Sequence, residues 1–221
     1  ATTRPAEWPE GRFVAGLLDA LKPETEGGPP SLSREAVTAW LTGAPVRDPA
    51  TGLPAAAANW DAISRVAGVT GGVENWTRRL EAHRFRLARK AQRAPLDEEE
   101  GGELSGRAAR TEAERTLALL DFMRLLAAKG RLPVLGGWRE YVVWLRELMS
   151  AFLLSAPSGD RAAAARRDHI GLMLSRIEEL GTLGLEPPSF DRFSQVLSDE
   201  LERPAGRSGP LGSGVFLAHY R

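Results

Sequence analysis

Cysteine is missing altogether from the 221 residues. That excludes disulfides, thiolate metal sites and cysteine nucleophiles. It is compatible with a reducing, cytoplasmic location, which is the expectation here. Lysine is nearly missing: Lys22, Lys90 and Lys129 are the only three, and the remaining basic charge is arginine. No lysine follows glycine at the phosphate-loop spacing Gly-x4-Gly-Lys-Ser/Thr. A restriction-type nuclease centre needs an acid followed two residues later by lysine, and none of the three lysines has one. Net charge is missing too, because 29 basic and 29 acidic residues cancel. A whole-chain pull toward nucleic acid or membrane is therefore absent, and any such surface has to be a local patch. No apolar run approaches the roughly 18 residues of a membrane span, and no signal peptide opens the chain. No membrane partner is expected.

Hydrophobic residues make up 43% of the chain and charged residues 26%, an ordinary globular balance. The length suits one large domain or two small ones with a real core. The chain starts at Ala1 and closes on the apolar Val215, Phe216, Leu217 and Ala218. It reads as a single helical domain, 1–221, cut from a longer polypeptide. Abundant alanine, glycine and arginine suit a GC-rich bacterium.

Apolar spacing predicts a helix over 12–21, with Phe13, Leu17, Leu18 and Leu21 inward. Residues 22–30 hold three prolines and two glycines and read as a loop. Ser33 is a good N-cap for a helix to Thr42, with Val37, Trp40 and Leu41 inward. A second loop covers 43–54. Asn59 is the expected cap of a helix over 60–67, which Gly68 ends. Gly71 and Gly72 form a turn, and a longer helix runs over 73–93 with Val73, Trp76, Leu80 and Leu87 on one stripe. Residues 94–106 carry Pro95, an acidic run and three glycines, and are expected to be a mobile connection.

The clearest helix covers 107–129, with Leu117, Leu120 and Leu125 apolar and Gly130 as its stop. Another covers 138–155, with Val142, Leu145, Leu148, Met149 and Phe152 inward. Asp160 caps a helix that reaches Leu180 before Gly181, and Ser189 caps the last, to about Leu201. Residues 203–213 are a return loop, and 215–218 form a short strand with no obvious partner. The sum is an all-α, irregular domain of about eight helices with one C-terminal strand and no internal repeat.

Few constellations carry chemistry. The glycine-rich segment from Gly206 to Gly214 runs helix–loop–strand, whereas a phosphate cradle wants strand–loop–helix. The acidic run Asp97, Glu98, Glu99 and Glu100, with Glu103, lacks the fixed backbone that converging metal ligands need. His83, His169 and His219 lie on separate elements without paired ligand spacing. No Gly-x-Ser-x-Gly elbow occurs. No catalytic, cofactor-binding or metal-ligating residue is therefore assigned.

One local feature has a physical pull. Arg78, Arg79, Arg84, Arg86, Arg89, Lys90 and Arg93 stand against only Glu81. On a helix, Arg79, Arg86, Lys90 and Arg93 fall three to four residues apart or one heptad apart, in one stripe. Such a stripe neutralises phosphates without reading bases. The bland alternative is a solvated face balanced by the acidic run that follows it. Trp60, Trp76, Trp138 and Trp144 sit among aliphatic neighbours at helical spacing, which favours core packing over base stacking.

The segment 59–80 reads Asn-Trp-Asp-Ala-Ile-Ser-Arg-Val-Ala-Gly-Val-Thr-Gly-Gly-Val-Glu-Asn-Trp-Thr-Arg-Arg-Leu. It resembles a Trp-Asp-x-Ile-Ser-Arg-x-Ala-Gly-hydrophobic-x-Gly-Gly-x-x-x-Trp passage in bacterial AddB-like proteins. These are UvrD/RecB-related superfamily 1 helicase–nucleases, described as PD-(D/E)XK nuclease family proteins. The chain's close, 212–221, resembles the junction at which that family re-enters its second motor domain. Residues 13–21 and 33–44 resemble the start of the same insertion.

The resemblance implies a location: the helical, 2B-like insertion of a helicase–nuclease subunit that acts in DNA double-strand-break repair. The ATP-binding loop, arginine finger and nuclease carboxylates would lie outside this chain. ATP and Mg would then be cofactors of the parent protein only, and the fragment itself would be no enzyme. Implied partners are duplex DNA, the motor domains of the parent chain and a partner helicase–nuclease subunit. The competing reading is a helical protein-interaction scaffold with no nucleic-acid contact.

Overall fold

Helix boundaries follow from local chemistry at most junctions. The computed structural model describes residues 3–93, 100–133 and 136–205. Helix α1, Pro9–Leu21, starts three residues earlier than the apolar spacing implies. Pro9 explains this: at the first helical position its missing N–H costs nothing and its fixed φ suits the helix. Helix α2, Arg34–Gly43, is capped as expected, with Ser33 Oγ accepting from the Ala36 N–H at 3.2 Å.

Helix α3, Ala57–Ala67, corrects the expected Asn59 cap. Its N-cap is Ala56, with no side-chain bond, and Asn59 lies exposed in the first turn. The run Ala55 to Ala58 is the reason, because alanine has the highest helix propensity and carries the helix past Asn59. Gly68 ends α3 in the left-handed region at φ 73°, where a Cβ would be strained.

Helix α4, Val73–Arg93, and helix α5, Glu100–Lys129, form a hairpin. The expected connection over 94–106 is shortened by this, since residues 100–106 are the first turns of α5; residues 94–99 lie outside the described residues. Gly130 follows α5 but is not left-handed. Its reason is close approach: a Cβ there would sit 2.5 Å from Leu21 Cδ2.

Helix α6, Trp138–Phe152, stops three residues short of the expected end. Leu153 instead pairs with Val46 in an isolated antiparallel bridge, and the Leu154 N–H donates to Pro45 O at 2.8 Å. The Arg47 guanidinium donates to the Ser150 and Ala151 carbonyls, where a cation suits a helix C-terminus. Helix α7, Arg161–Glu179, is capped by Asp160 and tightens into a 3-10 turn, Leu180–Leu183. Gly184, at φ 67°, follows that turn in the left-handed region. Helix α8, Phe190–Glu202, is capped by Ser189.

The described residues hold eight α-helices and no strand, an all-α fold. The expected strand over 215–218 and most of the return loop lie outside the described residues. The core centres on α1, whose Phe13, Leu17 and Leu21 are fully buried. Trp40 of α2, Phe122 of α5 and Phe152 of α6 meet there with ring centroids 5.4–6.3 Å apart. Trp60 of α3 closes on Phe122 at 4.8 Å. A second group joins α6 to α8, with Tyr141 stacked on Phe193 at 4.9 Å.

Candidate nucleic-acid interface

The α4–α5 hairpin is the element that carries the basic stripe. Its seam on α4 is Trp76, Leu80, His83, Leu87 and Ala91, all buried, at spacings of three and four. Helix α5 answers with Ala109, Thr116, Leu119, Met123 and Leu126. The base of the hairpin belongs to the main core through Trp76, Leu80 and Leu119. Farther out, Leu87, Ala91 and Ala109 are buried but outside that core. Every other described residue from Arg84 to Arg93 is exposed. The outer half is therefore an arm held together by a narrow two-helix seam, of the kind that heptad-like spacing produces.

Arg79, Arg86, Lys90 and Arg93 are all exposed on this arm. At 100° per residue they fall on one flank of α4, beside the buried seam. Glu81 lies on the opposite flank, where Arg124 of α5 binds it at 2.5 Å. Among the described residues, no carboxylate lies within ion-pair distance of Arg79, Arg86, Lys90 or Arg93. The expected counterweight, the acidic run, lies outside the described residues at Asp97, Glu98 and Glu99. Four cations on one flank, unpaired among the described residues, can neutralise phosphates, and such contacts carry no sequence information.

At the foot of the arm is a cleft of about 1070 Å³. It is bounded by the 24–31 loop, the first turn of α4 and the end of α5. Arg78, Arg124 and Arg131 line it against Glu24 and Glu74, which leaves it weakly basic. Arg124 is already engaged by Glu81 and Asp121. Arg131 escapes a sequence reading based on periodicity because it follows Gly130, off the helix. Phe85 is 64% exposed on the outer face of α4, with the Arg89 guanidinium 5.9 Å from its ring centroid.

The two described histidines are packed into the fold. His83 is buried in the seam with Nε2 3.4 Å from Glu112 Oε1. His169 packs edge-on against Trp8 at 5.2 Å, and His219 lies outside the described residues. Trp60, Trp76, Trp138 and Trp144 are at most 7% exposed, so none offers a ring face to a base. Among the described residues, no group of three or more acids or histidines is placed to hold a metal ion. No helix there is long and apolar enough to cross a membrane. No family model, no curated protein and no solved structure matches the chain.

Proposed function

We propose that this chain is a non-catalytic accessory domain of a bacterial ATP-dependent DNA helicase–exonuclease that acts in double-strand-break repair. In this reading the α4–α5 arm holds DNA by its phosphates, and the rest of the domain contacts the motor domains or a partner subunit. ATP and Mg serve the parent protein, and the chain itself hydrolyses neither ATP nor DNA. The observation that carries the DNA contact is the exposed, unpaired flank of Arg79, Arg86, Lys90 and Arg93. The parent assignment rests on the resemblance of residues 59–80 to AddB-like proteins.

The test is fluorescence anisotropy at low ionic strength on two duplexes of unrelated sequence. The wild type binds both with similar affinity, since phosphates carry no sequence information. The fourfold variant Arg79→Gln, Arg86→Gln, Lys90→Gln, Arg93→Gln binds both more weakly. No binding of either duplex by the wild type contradicts the DNA contact and puts the protein-interaction scaffold in front. That second reading draws on Leu53 and Val66, which are 65% and 66% exposed outside the α4–α5 hairpin's own helices.

A further inference from the structure

Phe85 stands in an unusual setting for an exposed aromatic. Its neighbours one turn away on α4 are Glu81, Ala82, Ala88 and Arg89, and two turns away Arg78 and Gln92, all exposed. The two alanines are too short to cover the ring, so it stands above its own helix face. Arg78 and Arg89 rim it, and Arg89 already lies over the ring face. The nearest acid on this face, Glu81, is neutralised by Arg124. An apolar ring on a positively charged surface calls for an occupant with a flat apolar face and a negative charge next to it. A nucleic-acid base with its phosphate meets both demands. An apolar protein side chain meets only the first.

From this setting we infer that Phe85 is a stacking platform for an unpaired base, so that the outer face of α4 binds single-stranded nucleic acid. The inference rests on the proposed phosphate contact of the same arm and adds a distinct face to it. A duplex cannot use this face, because its bases are stacked on each other and show only their edges in the grooves. Stacking on one aromatic ring is tolerant of base identity, since every base has a π-face. Arg78 and Arg89 take the flanking phosphates as point contacts, and their charge attracts the strand whatever its sequence. The stripe of Arg79, Arg86, Lys90 and Arg93 then serves any phosphate backbone, while Phe85 separates single strands from duplex.

The experiment uses the 221-residue chain and three probes of matched length: an oligothymidylate, an abasic strand with the same phosphates, and a duplex. Phe85→Ala is expected to weaken oligothymidylate binding by roughly 5- to 150-fold, the range measured for loss of one stacked base. It leaves the abasic strand and the duplex unchanged. Phe85→Trp retains binding and adds a fluorescence quench on oligothymidylate that the wild type lacks. The position is largely exposed, so these substitutions leave the fold intact. Oligothymidylate binding unchanged in Phe85→Ala, or retained in Phe85→Leu, overturns the stacking role, because leucine keeps the apolar bulk without the ring. Equal loss on all three probes also overturns it. Failure of the wild type to bind any probe at low salt contradicts the phosphate contact itself, and the stacking role with it.

Discussion

Trp76 is the residue on which the turn before the arm depends, and Trp76→Phe removes its polar handle. The indole is 1% exposed, and its Nε1 donates to the Leu32 carbonyl at 2.7 Å. Leu32 is itself fully buried and left-handed at φ 41°, a region that costs a branched side chain about 1–2 kcal/mol. Two bonds fix it there: the Trp76 indole on its carbonyl, and its own N–H on Ala20 O at 3.1 Å. Next to it, the Gly72 N–H donates to Ser31 O and the Arg34 N–H to Thr70 O, so the 31–34 segment and the α3–α4 turn hold each other.

Phenylalanine leaves the Leu32 carbonyl buried without its donor, which costs about 1–3 kcal/mol. The smaller ring adds about 1 kcal/mol of lost packing. The expected loss is therefore about 2–4 kcal/mol, read as a shift of the urea midpoint at constant slope by circular dichroism. For a chain of this size the same loss lowers Tm by roughly 4–16 °C. Trp8→Phe is the control. Its indole donates only to the exposed Thr3 hydroxyl, and its loss costs less than about 1 kcal/mol. Equal stability of Trp76→Phe and Trp8→Phe refutes the argument that the Leu32 bond fixes this turn.

Ser33→Ala destabilises by about 1 kcal/mol through loss of a real cap. Asn59→Ala changes stability by less than about 0.5 kcal/mol, because Asn59 caps nothing; urea titration of both variants decides between them. The Tyr141 phenol is raised above its ordinary value, first by burial and then by the negative charge of Glu26. Its folded pKa exceeds its unfolded one, so its contribution is complete below about pH 10 and is lost as pH rises through the folded value. Chemical denaturation between neutral and strongly alkaline pH is expected to show a shallower loss in Tyr141→Phe than in the wild type.

The periodic segments were legible in the sequence because burial there is one-sided. The Trp76–Leu80–Leu87 stripe, the Ser33, Asp160 and Ser189 caps and the Gly68 stop all appear where composition and spacing place them. What was not legible depended on contacts distant in sequence. Helix α6 ends at Phe152 because residues 45–47, about a hundred positions away, supply its last partners. Gly130 follows the end of α5 where expected, yet it is not left-handed; what suits glycine there is close approach, since a Cβ would meet Leu21 Cδ2 and the Leu126 carbonyl. At the candidate interface, the charges of the stripe were visible but their lack of partners was not. Helical spacing already puts Glu81 on the far flank; that Arg124 of α5 takes it up there is fixed by the hairpin. Phe85 falls opposite the Trp76–Leu80–Leu87 stripe at helical spacing, so its outward face was legible; the Arg89 guanidinium over its ring was not.

A phosphate contact through the α4 stripe shows itself in the salt dependence of duplex binding. Each phosphate neutralised on duplex DNA adds about 0.9 to the fall of log affinity with log salt, so four side chains give a slope of at most roughly 3 to 4. Anisotropy titrations over a series of salt concentrations, wild type beside the fourfold Gln variant, measure it. Glutamine is a fair helix former, so α4 persists in the variant, as its circular dichroism checks. A wild-type slope of up to roughly 3 to 4 that is lower in the variant is expected. Equal slopes for the two proteins contradict a phosphate contact through Arg79, Arg86, Lys90 and Arg93.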